Sequence, residues 1–270
     1  MKEIKHIAIY CVTYFSYDAL EKYLKSIDNS NQQELIKLDV FVADNTDLHP
    51  IAINYHPSHF QLEVHANNKN LGYFQAIKQL MLKHSPTRYD YSIISNVDIV
   101  IDKDFFKRLA DMEISHQTGW IAPKIYSAIE KRDKNPRVMN RYPYKKLQML
   151  KVLFQHPWLY YLYTHTLYKR KKLFTHQAGK IYAGHGSFII LTVEYFKKCG
   201  IIDYPIFLFC EELYLAENCL CHQLDVIYTP TLTVYDAEHV STGSFKNKQH
   251  CQYNQEALTY ILAQYYKNKK

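Results

Sequence analysis

The feature that most constrains this chain is an alternation of short apolar runs with segments of helical spacing, the runs stopping at polar residues. Ile7 to Val12 precedes Tyr17 to Ile27, whose apolar residues recur at helical spacing, and Leu38 to Ala43 stops at Asp44-Asn45-Thr46-Asp47. Phe60 to Val64 leads through Asn70-Leu71-Gly72-Tyr73 into a helical segment, Phe74 to Leu82, and Tyr91 to Ser95 stops at Asn96-Val97-Asp98. Runs of this length read as buried strands. Strands alternating with helices predict an α/β fold with a mostly parallel sheet flanked by helices. In open sheets of this kind the ligand sits beyond the carboxyl ends of the strands, where Thr13, Asp44, Asn96 and Asp98 all fall. Each alone also suits a helix cap or a turn; together at one edge they point to a binding site.

The alternation stops between Tyr126 and Lys180. There the sequence turns basic and aromatic, with Lys145-Lys146, Leu147 to Phe154, Trp158 to Tyr163 and Lys169-Arg170-Lys171-Lys172. This stretch, about 127–180, is expected to be a helical insert. The rhythm returns with Ile181 to Leu191, a short helix that Gly200 ends, a helix from Glu211 to Gln223 and a last strand near Val226 to Tyr235.

The remaining bounds are broad. At 270 residues, 47% of them hydrophobic, the chain suits a single domain, residues 1–270. No stretch reaches the roughly 18 uninterrupted apolar residues of a bilayer span, and the first apolar run is too short for a signal peptide, so a cytoplasmic location is expected. Six cysteines lack a CxxC pair or a zinc-ligand spacing and are expected to be free thiols. A net charge of +7 suits a sugar nucleotide, an anionic lipid or a nucleic acid equally.

The ordered motifs resemble the inverting, family 2-like glycosyltransferases with the GT-A fold, in particular the bacterial rhamnosyltransferase group. Cys11-Val12-Thr13-Tyr14 is similar to that family's opening strand and first nucleotide loop, Val42 to Thr46 to its VDN(N/G)S segment, and Asn70-Leu71-Gly72-Tyr73 to its N-x-G-[FY] turn. Ser95-Asn96-Val97-Asp98 resembles the NPD form of its metal motif, and Gly186 to Leu191 its acceptor-side strand. Ile202-Asp203-Tyr204, Phe207-Leu208-Phe209 and Glu211 to Leu215 resemble its FDExFFxYxEDxDL stretch, and Tyr228-Thr229-Pro230 with His239 and Ser241 its closing Y-x-P and histidine. No fragment is specific alone; their order across more than two hundred residues carries the resemblance.

The resemblance implies a nucleotide-diphospho-sugar transferase of the hexosyl type, with a nucleotide-binding half at 1–110 and an acceptor-side half at 111–270. Thr13, Tyr14, Asp44, Asn70, Gly72, Asn96 and Asp98 would bind the nucleotide sugar. Asp98 and His239 would hold a divalent cation, His185 and Gly186 would lie on the acceptor side, and Glu212, with Glu211 beside it, would supply the catalytic base. The chemistry fits these residue types. A diphosphate leaving group develops negative charge that Mg²⁺ or Mn²⁺ neutralises through hard oxygen ligands. Inversion by direct displacement needs a base that takes the acceptor hydroxyl's proton. Acidic residues in a helix's first turn also simply complement its dipole, and local sequence leaves both readings open for Glu211 and Glu212. The chain departs from the family at Asn96, where the first acidic metal-motif position stands, at Glu212 in place of Asp, and at Tyr214 in place of the second Asp.

Acceptors implied by the resemblance are glycans or lipid-linked glycans of surface polysaccharide biosynthesis, presented at the inner face of the cell membrane. The insert fits peripheral contact there through Leu147, Leu150, Val152, Leu153, Phe154, Trp158 and Leu162, flanked by lysines. It equally fits a helical hairpin packed on the core. Nucleic acid is not expected as a partner, since no groove-reading or single-strand module is recognisable. The alternative to an enzyme is a catalytically weak nucleotide-sugar-binding subunit that supports a partner glycosyltransferase.

Overall fold

The computed structural model describes residues 4–30, 36–48, 50–167, 176–237 and 247–267. Its centre is the run that begins the sequence. Strand β1 (Lys5–Thr13) pairs in parallel with β2 (Ile36–Asp44) on one side and β4 (Tyr91–Asn96) on the other. Its side chains alternate between two cores. Ala8 and Tyr10 face one with Phe41, Phe74 and Trp120, while Ile7, Ile9 and Cys11 face the other with Tyr23, Phe105 and Phe188. A strand apolar on both faces belongs in the middle of a covered sheet.

The sheet runs β3-β2-β1-β4-β9-β6-β10-β5, where β3 is Gln61–Ala66, β5 Ile99–Ile101, β6 Thr118–Ser127, β9 Phe188–Thr192 and β10 Asp225–Asp236. Two short strands, β7 (Arg132–Asp133) and β8 (Gly179–Ile181), pair with β6 and β10. β9 is antiparallel to both neighbours, β4 and β6, β5 is antiparallel to β10, and the short β7 and β8 are antiparallel to β6 and β10, so these strands run against the otherwise parallel set. The fold is therefore mixed α/β with a central sheet flanked by helices, as the sequence predicts. The expected run Ile181 to Leu191 is two strands, β8 and β9, parted by a turn over 182–187. Gly184 sits in that turn where a Cβ would meet the Ala122 Cβ and the Trp120 ring at 2.8 Å, so only glycine lets the turn close on β6.

Helix α1 (Tyr17–Ser30) buries Leu20, Tyr23, Leu24 and Ile27, one face of a helix. Helix α2 (Tyr73–Lys83) buries Phe74, Ile77, Leu80 and Met81 against the opposite sheet face. Helix α3 is Phe105–Ala110, α6 Val193–Cys199 and α7 Glu211–Cys221. Helix α6 starts at Thr192, whose hydroxyl accepts from the Tyr195 amide, and ends at Gly200. Within the stretch expected as an insert lie α4 (Tyr144–Gln155) and α5 (Pro157–Leu162), parted by Pro157. Helix α4 packs on α8 (Asn247–Tyr265) and sends Leu147 into the main core, with Leu150 and Phe154 against it. Met149, Val152, Trp158, Tyr161 and Leu162 remain exposed. The Lys169 to Lys172 cluster lies outside the described residues. All six cysteines are free thiols. Among the described residues no helix is long and apolar enough to cross a membrane.

Candidate active site

A cleft of about 980 Å³ opens at the carboxyl ends of β1 and β4. Tyr14, Asn70, Gly72, Asn96, Asp98, His185, Gly186, Glu211 and Glu212, all singled out from sequence, line it. Thr13 and Asp44 do not. Thr13 is fully buried, and Asp44 is almost so, its two oxygens accepting from the Tyr17 hydroxyl (2.9 Å) and the Thr46 amide (2.9 Å). His239 lies outside the described residues.

The cleft floor is built around Asn45. Its side-chain amide donates to the Gly72 carbonyl (2.9 Å) and to Asn70 Oδ1 (3.3 Å), its Oδ1 accepts from Asn67, and its backbone N–H donates to the Thr13 carbonyl (2.9 Å). Asn70 Oδ1 also accepts from the Gly72 amide at 3.0 Å. Gly72 has φ 79° and ψ −171°, a conformation open essentially to glycine alone. A Cβ there would stand 2.3 Å from the Phe207 carbonyl oxygen. That close approach seats the Phe207-Leu208-Phe209 turn against the start of α2, and the Tyr73 amide donates to Phe207 O.

The same turn aims the two glutamates. Phe209 and Cys210 both have left-handed backbones, φ 75° and 61°, each costing about 1–3 kcal/mol of strain. The Tyr204 hydroxyl holds the Phe209 carbonyl at 2.7 Å, and Glu211 Oε1 accepts the Phe209 amide at 3.0 Å. Glu211 is thereby folded back into the protein. Burial, then the neighbouring Glu212, raises its pKa to about 8. Glu212 is less buried, with its Oε1 3.7 Å from the Arg137 guanidinium and its carboxylate facing Gly186. Burial thus favours the neutral form of Glu211, and Glu212 is the more accessible of the two side chains to a ligand.

Across the cleft, Asp98 is partly buried and its Oδ1 has no hydrogen-bond partner among the described residues. Burial, then the Asp236 carboxylate, raises its pKa. An orphaned carboxylate oxygen beside a second carboxylate is a donor set of hard oxygens that suits Mg²⁺ or Mn²⁺. Lys134 Nζ sits 2.8 Å from Asp236 Oδ2. The His185 imidazole accepts or donates at Ser187 (2.9 Å), and its amide bonds Asn135 Oδ1. Burial, with Arg137, Lys134 and Arg132 nearby, lowers its pKa to about 3, so the ring is neutral over the working range. Tyr14 and Phe15 stand exposed at the mouth, edge to face at 4.7 Å. A second groove of about 520 Å³, lined by Tyr17, Lys22 and Ile51, shares Phe15, Ser16 and Asp98 with the first.

Sequence reasoning overlooked Asp236, Lys134, Arg137 and the hub Asn45. Asp236 had a signal, since it ends the last strand just as Asp44 ends β2. Lys134 and Arg137 had none, being ordinary loop cations in a stretch read as insert.

No family model matches the chain, and no curated protein matches it. Solved structures do resemble it. TarS from S. aureus, residues 1–349 in complex with UDP-GlcNAc, superposes with a TM-score of 0.55 at 12% identity, over 97% of this chain and 74% of that one. GalNAc-T7 with UDP, GalNAc and Mn²⁺ gives 0.56 at 10% identity, over 93% and 48%. The mannosyltransferase PcManGT from Pyrobaculum calidifontis, with GDP-Man and Mn²⁺, gives 0.53 at 12% identity, over 98% and 76%. At such identities the likeness speaks for architecture, and the architecture of this chain is the GT-A fold of glycosyltransferases.

Proposed function

We propose that this chain is a glycosyltransferase that moves a hexosyl-type sugar from a nucleotide-diphosphate donor to a hydroxyl of a glycan or lipid-linked glycan by inverting displacement. The observation that carries the reading is the convergence of Asn96, Asp98, Glu212 and the cations Lys134 and Arg137 on one cleft at the carboxyl edge of the sheet. The exposed rings of Tyr14 and Phe15 offer a stacking surface for the base. Lys134 and Arg137 draw the diphosphate in, and Asn96 offers it a hydrogen-bond donor. Asp98, with Asp236, would hold the divalent cation that neutralises charge on the departing diphosphate.

On the acceptor side the neutral His185 and the Gly186 backbone orient the incoming hydroxyl. As its oxygen bonds to the anomeric carbon, the bond from that carbon to the diphosphate oxygen breaks and the hydroxyl proton passes to the Glu212 carboxylate. Attack opposite the leaving group inverts the anomeric centre. Arg137 positions Glu212 while it waits. The exposed Trp158, Tyr161 and Leu162 of α5 would meet a lipid surface carrying the acceptor, and membership in the rhamnosyltransferase group and a part in surface polysaccharide synthesis belong to this proposal too.

The test compares Glu212→Gln with the unaltered protein in release of nucleoside diphosphate from a panel of sugar nucleotides with mixed glycan acceptors. Loss of the base lowers turnover by about 10²–10⁴-fold while donor affinity stays within a few-fold. Equal turnover in the variant rejects Glu212 as base. Donor binding by the unaltered protein with no turnover on any acceptor favours the second reading, a nucleotide-sugar-binding subunit, for which the Glu212–Arg137 ion pair would be a purely structural contact.

A further inference from the structure

Away from the cleft, three side chains meet between the edge strand β3 and the end of α2. Glu63 and His65 are two residues apart on β3 and so share a face. His84 follows the last residue of α2, its amide bonded to the Leu80 carbonyl and its own carbonyl held by the Tyr10 hydroxyl at 2.7 Å. Its ring stacks on Phe41 with centroids 4.0 Å apart and planes 15° from parallel. The two Nε2 atoms lie 3.1 Å apart, and Glu63 Oε1 lies 2.8 Å from His65 Nε2 and 3.3 Å from His84 Nε2. None of the three lines the cleft.

We propose that Glu63, His65 and His84 form a binding site for a divalent transition metal, zinc by its donor set, that clips the edge strand to the end of α2. Ligand atoms about 2.0–2.1 Å from a tetrahedral zinc stand roughly 3.3 Å from one another, and the triangle here is nearly that size. Two imidazoles and one carboxylate favour zinc and its neighbours over Mg²⁺ or Ca²⁺. The fourth position faces solvent, since the Glu63 side chain is half exposed. The His84 ring is oriented in advance by Phe41 and by a backbone anchored at both its amide and its carbonyl. That preorganisation separates the cluster from a chance meeting of surface histidines.

One contact opposes the metal. Lys83 Nζ sits 3.0 Å from His65 Nδ1 and donates to it, so the ring proton lies on Nε2. Metal at Nε2 moves that proton to Nδ1, and Lys83 must then swing away, which an exposed side chain in the last helical turn does readily. Lys83 thus competes with the ion.

The test titrates zinc into the full chain, stripped with chelator, by calorimetry, with cobalt absorption as a second readout of tetrahedral nitrogen and oxygen ligation. One equivalent of zinc is expected, bound about 10²-fold or more weakly by His65→Ala, His84→Ala and Glu63→Gln, more tightly by Lys83→Ala, and with unchanged affinity by Asp98→Ala. Zinc should also raise Tm in the unaltered protein and not in His65→Ala. Should His84→Ala fail to fold, the exposed Glu63→Gln removes a ligand of the same site without touching the core. Absence of stoichiometric zinc binding, affinity indifferent to all three ligand substitutions, or loss of the site in Asp98→Ala would each overturn the proposal.

Discussion

At the scale of single residues, two positions at the cleft carry consequences that can be measured in isolation. Gly72 combines a backbone conformation closed to other residues with a carbonyl 2.3 Å from where a Cβ would be. Gly72→Ala is therefore expected to cost about 1–3 kcal/mol from the backbone alone, and more from the forced retreat of Phe207. Urea unfolding should show it, with a loss of nucleotide binding as the 207–209 turn shifts. Glu211 and His185 give the molecule a pH signature of opposite signs. Glu211, raised from 4.5 to about 8, is protonated in the folded state and favours folding below about pH 4.5; that contribution fades as pH rises through 8. His185, lowered from 6.5 to about 3, favours folding above 6.5, and its contribution fades as pH falls toward 3. Glu211→Gln should remove the alkaline loss, so that the difference in unfolding free energy between pH 5 and pH 9 shrinks by a few kcal/mol. An unchanged pH profile would mean that Glu211 ionises normally.

At the scale of elements, α7, the end of α8 and the segments around Arg141 and Tyr182 are tied together by one ion pair. Glu217 on α7 is fully buried and receives Arg141 in two parallel bonds of 2.8 and 2.7 Å. Tyr182 donates to the same carboxylate, and Arg141 also stacks on Tyr266 and bonds the Tyr265 carbonyl at the end of α8. Arg141→Met strands the Glu217 charge and should cost about 3–5 kcal/mol. The double variant Arg141→Met with Glu217→Gln should recover part of that in urea unfolding; a double variant as unstable as the sum of the singles would refute the coupling. Not every element was legible beforehand. β1, β2 and β4 are predominantly apolar runs buried on both faces over most of their length, and such runs announce themselves. β6 carries Pro123 in its middle, which argues against a central strand. The structure accommodates it where β10 bulges between Thr229 and Thr233, with the Pro123 carbonyl bonded to Asn135. The reversed direction of β9 was invisible because a fully buried strand shows no alternation to betray its orientation. Helix α8 was missed because Asn, Gln and Tyr dilute the stripe of Cys251, Leu258, Ile261 and Leu262 that it buries.

At the scale of the whole molecule, the ends of strands that lie far apart in sequence converge on one edge. Strand-end reasoning singled out Asn96 and Asp98, and the resemblance singled out Glu212 over Glu211 at the start of a helix. Both passed over Lys134 and Arg137 because nothing local distinguishes a loop cation that the fold turns toward a cleft. The fold also explains why Asp44, a strand-end carboxylate like Asp98, takes no place on the cleft wall: Tyr17 and Thr46 occupy both of its oxygens. Asp98, by contrast, keeps one oxygen unbonded beside Asp236, and the reading of the cleft as a metal-assisted donor site stands on that asymmetry. The most direct test is calorimetric titration of the protein with UDP, dTDP and GDP, with and without Mn²⁺, repeated on Asp98→Ala. One nucleotide is expected to bind, Mn²⁺ to tighten it at least about tenfold, roughly 1.4 kcal/mol, and Asp98→Ala to abolish the gain. Failure of all three nucleotides to bind, or binding indifferent to both Mn²⁺ and Asp98, would contradict a metal-assisted donor site in this cleft.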